Sequence, residues 1–249
     1  MWKRTSTILF LTSILLLPAV WKAFASVDAI SLKDYPSSQL NLLLEDVPNR
    51  ELLNKIILLP PAEFSYEETA KMITTISVIP ETILFSLVQQ HVQLYLFDGS
   101  LTEIKGFEHL KGTKPRGYSS QGPSWDDVPG IGGSKLVLAK IGHSNIGQGH
   151  GSVNLELHEL AHSIDRFVYG NVRYNEEFIK IWKKEAPILF ANQTYFLHFI
   201  EEYFAETFAM YYLNEQTNEH LLKLAPLTHK FFEDSTNIKN SMNLSIYYK

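Results

Sequence analysis

The pentapeptide HELAH at positions 158–162 constrains this chain more than any other feature. It lies inside a stretch, 153–168, whose apolar residues recur at helical spacing. Residues four apart share one face of a helix, so His158 and His162 can present two imidazoles to one zinc ion. Glu159 then lies beside the metal, where it can take a proton from an attacking water. The pattern predicts a helix that carries the centre of a metal-dependent peptidase.

Two histidines require a third protein ligand, because a catalytic zinc keeps its fourth position for water. The candidates are Asp165, His198 and Glu202, and we favour Glu202. It belongs to an acidic segment, 201–206, in which Glu202 and Glu206 lie four residues apart among aromatic and apolar neighbours. Burying two carboxylates there is costly unless a cation compensates. We expect Glu202 to bind the metal and Glu206 to hydrogen-bond a ligating imidazole. The alternative is a solvated acidic helix face.

Two further residues have open interpretations. His150 either lies near the cleft or has a packing or capping role. Tyr195 lies seven residues before Glu202, and a phenol near the metal can stabilise the oxyanion formed during hydrolysis. The chain has 12 tyrosines, so spacing alone leaves this role open.

The N-terminus has the three-part layout of a secretory signal peptide. Lys3 and Arg4 precede an apolar run over residues 8–20, and an A-x-A sequence ends at Ala25. We expect cleavage between Ala25 and Ser26 and a secreted, extracellular product. The alternative is a membrane anchor, but a membrane span needs about 20 apolar residues and this run is shorter.

Composition excludes several classes of function. The chain has no cysteine, which excludes thiolate zinc ligands, cysteine nucleophiles and disulfides. Its formal net charge is -5 and it has no basic run, so nucleic acid is not an expected partner. Apart from the N-terminal run, no segment is apolar enough for stable membrane insertion.

Hydrophobic periodicity and turn residues predict an α+β fold: an N-terminal mixed α/β part with a small sheet, a C-terminal all-helical part, and a zinc cleft between them, as in zincins. We divide the chain into a signal peptide (1–25), a leader (26–47) and a metallopeptidase domain (48–249), with subdomains 48–151 and 152–249. The expected strands are 56–59, 92–97 and 135–141. The expected helices are 65–77, 81–90, 152–168, 176–189, 200–213 and 219–233. Ser152 can cap the helix that carries the two histidines, and Gly170 ends it. A long loop, 106–134, should lie beside the cleft.

Three segments together resemble one known family. The segment 154–165, NLELHELAHSID, resembles the active-site helix of the anthrax-lethal-factor-like metallopeptidases, and most of all that of the secreted bacterial Pro-Pro endopeptidases. The segment 201–209, EEYFAETFA, is similar to the second motif of that family. The segment 125–133, WDDVPGIGG, is similar to the loop before its edge strand. The resemblance extends over roughly residues 56–235.

The resemblance implies a catalytic centre with one Zn²⁺ ion per chain. The ligands would be His158, His162 and Glu202, with Glu206 behind them. Glu159 would be the general base, and Tyr195 would donate a hydrogen bond to the oxyanion.

The resemblance also implies substrate contacts from Arg116, Tyr118 and Glu201. The Pro-Pro endopeptidases carry Lys and Trp at the first two positions. Tyrosine can still stack on a proline ring with a smaller face, and arginine keeps the charge with a different shape.

The function implied is that of a secreted zinc metalloendopeptidase that hydrolyses extended, proline-rich (Pro-Pro) segments of extracellular or surface proteins. Two alternatives stay open at this point. One is a toxin-like protease of narrow host-protein specificity, and the other is a non-catalytic, zinc-containing surface-binding module.

Overall fold

A computed structural model of the chain describes residues 27–117 and 121–235. The expected signal peptide (1–25), its cleavage site and Tyr118 therefore lie outside the described residues and stay predictions.

A five-stranded mixed sheet forms one layer, with strand order β1-β2-β3-β5-β4. Its strands are β1 (Ile30–Ser31), β2 (Ile57–Leu59), β3 (Gln93–Phe97), β4 (Gly130–Ile131) and β5 (Leu136–Lys140). The central strands β2, β3 and β5 are parallel, whereas β1 and β4 lie antiparallel at the two edges. The three longer strands agree with the predicted ones to within one residue at each end. The two edge strands have two residues each, too few to show a periodic pattern.

The α-helices pack on one face of this sheet and make up most of the C-terminal half. The N-terminal half contains the helices Ser38–Leu43, Arg50–Ile56, Tyr66–Ile76 and Glu81–Gln89. The C-terminal half contains Leu155–Ile164, Glu176–Leu189, Thr194–His198, Ile200–Leu213, Glu215–Leu224 and a last helical stretch over 226–235. A π-helical turn covers Asp165–Tyr169, and 3₁₀ turns cover Leu32–Asp34, Leu101–Glu103, Glu108–Leu110 and Val172–Tyr174. The predicted α+β architecture is confirmed.

No single helix in the described ranges is long and apolar enough to cross a membrane. The pair Tyr66–Ser77 and Glu81–Gln89 meets the length and composition criteria only jointly, and it is bent by 104° at its break.

We call Leu155–Ile164 the motif helix and Ile200–Leu213 the acidic helix. The N-terminal cap of the motif helix differs from the sequence prediction, which placed it at Ser152. The Asn154 side chain is the cap and accepts a hydrogen bond from the Leu157 backbone N–H at 2.9 Å. Ser152 instead donates its hydroxyl to the Asn154 carbonyl at 3.1 Å, so it supports the cap rather than forming it.

The predicted helix 219–233 is wrong as one element, because the chain breaks at Ala225. Pro226 disfavours helical geometry in the residue before it, yet suits the first turn of a new helix. The buried carboxylate of Glu185 receives the N–H groups of Leu227 and Thr228, each at 2.8 Å. A negative charge at a helix N-terminus is favourable, so Glu185 fixes the start of the last helix.

Alternation along β3 separates two apolar cores. Leu94 and Leu96 face the larger core, which lies between the sheet and the helices of both halves of the chain. Tyr95 and Phe97 face a smaller core on the opposite side of the sheet, where Trp125 packs. The motif helix and the acidic helix pack against each other within the larger core and therefore hold their polar side chains in fixed relative positions.

The segment expected to be a leader, 26–47, contributes to the fold from its described part onward. Its strand β1 pairs with β2, and Leu32, Leu40 and Leu44 are buried in the larger core.

Candidate active site

A cleft of about 1050 Å³ lies where the motif helix, the acidic helix and strand β4 meet. Described residues of the long loop form one wall, which confirms the expected place of this loop; they are Pro115, Arg116, Gly117, Gly122, Trp125, Val128 and Pro129. The turn Asn171–Tyr174 contributes to another part of the wall. The cleft thus receives side chains from both halves of the chain.

His158, His162 and Glu202 converge in this cleft. The Nε2 atoms of His158 and His162 each lie 3.4 Å from Oε2 of Glu202, and the donor atoms of all three residues lie within 4.8 Å of one another. Two ligands about 2.05 Å from a tetrahedral zinc ion are separated by about 3.4 Å. Two imidazoles and one carboxylate are also a common donor set of catalytic zinc, so the residues present fit the ion.

Electrostatics favour a cation among these side chains. Burial raises the pKa of Glu202, but hydrogen bonds to His158 and His162 outweigh it and hold the pKa well below its usual range. Burial lowers the pKa of His158, and the carboxylates of Glu202 and Glu206 raise it to about 10. The two carboxylates therefore create a strongly negative environment in the protein interior, which positive charge compensates.

Glu206 lies behind the cluster, one helical turn after Glu202. Its Oε2 lies 3.0 Å from Nδ1 of His158, and its Oε1 accepts the backbone N–H of Val153 at 2.9 Å. With Glu206 ionised, His158 donates from Nδ1, which leaves Nε2 as the atom that faces the cluster. The side chain is only 3% exposed, so this orientation is protected from solvent.

We expect the substitution Glu206→Gln to weaken zinc binding roughly 10- to 100-fold. Glutamine offers one acceptor oxygen where glutamate offers two, so either His158 or Val153 loses its partner. Competition with a calibrated chelator measures the affinity, and Glu219→Gln, an exposed change on another helix, is the matched control. Unchanged affinity in Glu206→Gln would contradict the orienting role.

Glu159 lies between the histidines on the motif helix and lines the cleft beside strand β4. A Cβ atom at Gly132 would lie 2.1 Å from the Glu159 carbonyl oxygen, so only glycine lets the chain after β4 approach the motif helix this closely. Burial raises the pKa of Glu159, although its side chain keeps partial contact with the cleft. A carboxylate with a raised pKa is a stronger base than one in water.

Tyr195 lies in the short helix before the acidic helix and also lines the cleft. Its ring packs against Phe199, with ring centroids 5.2 Å apart. A Cβ atom at Gly117 would lie 2.7 Å from Cε2 of Tyr195, and Gly117 has a φ of +85°. Glycine at this position therefore allows the long loop to pass directly over the tyrosine ring.

Arg116 and Glu201, both expected to contact substrate, are joined to each other. Arg116 Nη2 lies 2.7 Å from Glu201 Oε1, and its guanidinium lies 4.4 Å from the centre of the Phe199 ring. Arg173 Nη2 lies 2.9 Å from the same Glu201 oxygen. Sequence reasoning missed Arg173, because a lone cation after the motif helix carries no local signal of its distant partner.

The other ligand candidates lie outside the cluster. Asp165 is buried and accepts the backbone N–H of Val172 at 2.6 Å. His198 is exposed, and its Nδ1 lies 2.7 Å from the Thr194 carbonyl oxygen.

His150 lines the cleft, but its two ring nitrogens contact the His143 carbonyl and the Ser152 hydroxyl. Both interpretations of His150 therefore apply, because it lies in the cleft wall and also packs the preceding loop.

Comparison with known proteins identifies the family to which this chain belongs. The family described as "Anthrax toxin lethal factor, N- and C-terminal domain" matches residues 44–235. A Pro-Pro endopeptidase of Clostridioides difficile (strain 630) is 39% identical over 186 residues, which is 75% of this chain and 84% of the relative. A Pro-Pro endopeptidase of Paenibacillus alvei is 37% identical over 182 residues, or 73% and 83% of the two chains.

The solved structure of the Pro-Pro endopeptidase PPEP-2 from Paenibacillus alvei is also similar. It superimposes with a TM-score of 0.70 at 37% sequence identity, and the match covers 74% of this chain and 98% of that one.

Proposed function

This chain belongs to the anthrax toxin lethal factor family and is a metalloendopeptidase, and on that premise we propose that it is a secreted zinc enzyme that cuts between consecutive prolines in extended segments of extracellular or surface proteins. The observation that carries the proposal is the convergence of His158, His162 and Glu202 beside Glu159 in one cleft. The names of the two relatives support the proline specificity. The N-terminal sequence supports secretion.

In this proposal His158, His162 and Glu202 hold one zinc ion. Zinc, when bound, is a Lewis acid, which polarises the scissile carbonyl and acidifies the attacking water. The shared Glu202 oxygen keeps both imidazoles turned toward one point, and Glu206 keeps the His158 tautomer correct.

Glu159 moves the proton in this scheme. Its carboxylate accepts a proton from the attacking water as the new C–O bond forms, and it then delivers that proton to the leaving nitrogen as the C–N bond breaks. In a Pro-Pro bond that nitrogen carries no hydrogen, so it cannot donate to strand β4. Protonation by Glu159 therefore gives the leaving proline its amine hydrogen, and recognition near the cut must use ring surfaces and neighbouring backbone groups.

Tyr195 supplies the hydrogen bond to the developing oxyanion. We expect Tyr195→Phe to lower kcat by about 100-fold or more, as removal of one oxyanion donor does in other hydrolases, with little change in KM. The ring and its contact with Gly117 stay in place, which isolates the hydroxyl. Steady-state kinetics on one peptide makes the comparison, with Tyr66→Phe as the matched loss of a hydroxyl outside the cleft. Equal kcat in Tyr195→Phe and the unsubstituted protein would remove this role.

Four peptides of equal length test the specificity. They differ only at the two central residues, which are Pro-Pro, Ala-Pro, Pro-Ala or Ala-Ala. The protein without residues 1–25, supplied with zinc, should cut the Pro-Pro peptide between its prolines and the other three at least tenfold more slowly, as read by mass spectrometry. Equal cutting of all four would end the proline proposal and leave a metalloendopeptidase of other specificity.

Secretion has a separate test. Expression of the full chain in a secreting bacterium should release protein whose first residue is Ser26, as read by N-terminal sequencing. Retention in the membrane fraction with an uncut N-terminus would contradict the proposed secretion.

A further inference from the structure

Tyr174 is an exposed aromatic residue in the wall of the cleft. Its relative exposure is 76%, the highest among the exposed large apolar residues of the described ranges. The same group includes Leu42, Ile146 and Ile188. Within this group, Tyr174 is the residue that lines the cleft. Tyrosine presents a large, rigid face at a low entropic cost, which is why it is enriched where proteins bind partners.

The backbone under Tyr174 is fixed although the ring is exposed. The turn Val172–Tyr174 is anchored by Val172, whose side chain is fully buried. Asp165, at the end of the motif helix, accepts the N–H of Val172 through its side chain at 2.6 Å and the N–H of Asn171 through its carbonyl at 2.9 Å. The turn therefore has a definite position relative to the helix that carries His158 and His162.

A second contact ties the same turn to the other ligand helix. Arg173 Nη2 lies 2.9 Å from Oε1 of Glu201, the residue next to Glu202. Because Arg116 pairs with the same oxygen, the turn, the long loop and the acidic helix are joined at one carboxylate. The backbone that carries the ring therefore needs no ordering when a ligand binds, which lowers the entropic cost of binding.

We propose that Tyr174 forms an aromatic subsite that stacks on a proline ring of the substrate outside the scissile pair. The proposal rests on the proposed function and deepens it. A proline lacks an N–H, so an enzyme that reads several prolines must contact their rings. Proline-rich segments adopt the extended polyproline II conformation, and aromatic side chains are the usual surfaces on which it docks. The ring of Tyr174 offers such a surface in the same cleft.

A proline walk tests the subsite. The parent peptide has a central Pro-Pro and alanine at all other positions, and each further peptide carries one extra proline at a single flanking position. We expect one flanking position at which the extra proline lowers KM roughly three- to tenfold for the unsubstituted protein, with kcat little changed. Tyr174→Ala should abolish this gain and Tyr174→Phe should keep it, because phenylalanine retains the aromatic face.

The controls separate the possible outcomes. Ile188→Ala removes an apolar side chain that is 56% exposed and lies away from the cleft, so it should keep the gain. If Tyr174→Ala keeps the gain at every position, or impairs all peptides equally, the subsite is overturned while the proposed function stands. If the unsubstituted protein leaves the parent peptide uncut, the proposed function fails first, and the subsite falls with it.

Discussion

Replacing Glu159 by glutamine should lower kcat by about three orders of magnitude while the protein still binds zinc. The carboxylate is the base that accepts the water proton and returns it to the leaving nitrogen, and general acid–base catalysis contributes about 10²- to 10⁴-fold. Glutamine has nearly the same shape but cannot accept that proton at neutral pH. Gly130 of β4 lies against the Glu159 side chain and Gly132 lies against its backbone, and glutamine keeps Cγ and nearly the same volume, so it fits the same space.

Metal content and turnover must be measured on the same sample of Glu159→Gln. We expect the zinc content of the unsubstituted protein and residual cleavage near the detection limit. Glu177→Gln, an exposed change in the helix Glu176–Leu189, should match the unsubstituted protein in both. Turnover within tenfold of the unsubstituted protein, with zinc retained, would show that another group moves the proton.

Replacing Glu202 by alanine should remove both zinc and activity. It deletes one donor of three, and it deletes the oxygen toward which both imidazoles turn at 3.4 Å. Loss of an outer partner alone costs 10- to 100-fold in affinity, so loss of a ligand should cost more than roughly 100-fold. Cleavage should return partly at high zinc concentration, because His158 and His162 are still present.

Glu201→Ala is the matched control for Glu202→Ala, since the two carboxylates are adjacent on one helix. Glu201 pairs with Arg116 and Arg173 and lies outside the group of three donors. Its removal should leave zinc bound and instead raise KM, because both arginines lose their shared partner. Loss of zinc in Glu201→Ala with retention in Glu202→Ala would show that the third ligand is assigned to the wrong residue.

The parts of the fold that depend on local patterns could be predicted from the sequence. The helices Glu176–Leu189 and Ile200–Leu213 have the predicted ends, and the αL conformation of Gly170 ends the segment after the motif helix as expected. The choice of Glu202 followed from a physical argument, because two carboxylates in an aromatic stretch need a cation. The structure brings that residue together with the two histidines.

The parts that depend on distant contacts could not be predicted. The prediction that Ser152 caps the motif helix was wrong. Ser152 and Asn154 compete for the same helix end, and Asn154 accepts the N–H of Leu157. The pairing of Arg173 with Glu201 joins residues 28 positions apart, which no local pattern records. The close approach of Gly132 to Glu159 likewise depends on the packing of strand β4 against the motif helix, which local sequence does not record.

The most direct test of the account is a zinc titration of the metal-free protein in which cleavage of a Pro-Pro peptide and bound zinc are followed together. Activity should rise in proportion to bound zinc and reach its maximum at one ion per chain. In His162→Ala the same titration should give neither tight binding nor turnover. Full activity in the metal-free protein, or a maximum that requires a second ion, would contradict the single centre built from His158, His162 and Glu202.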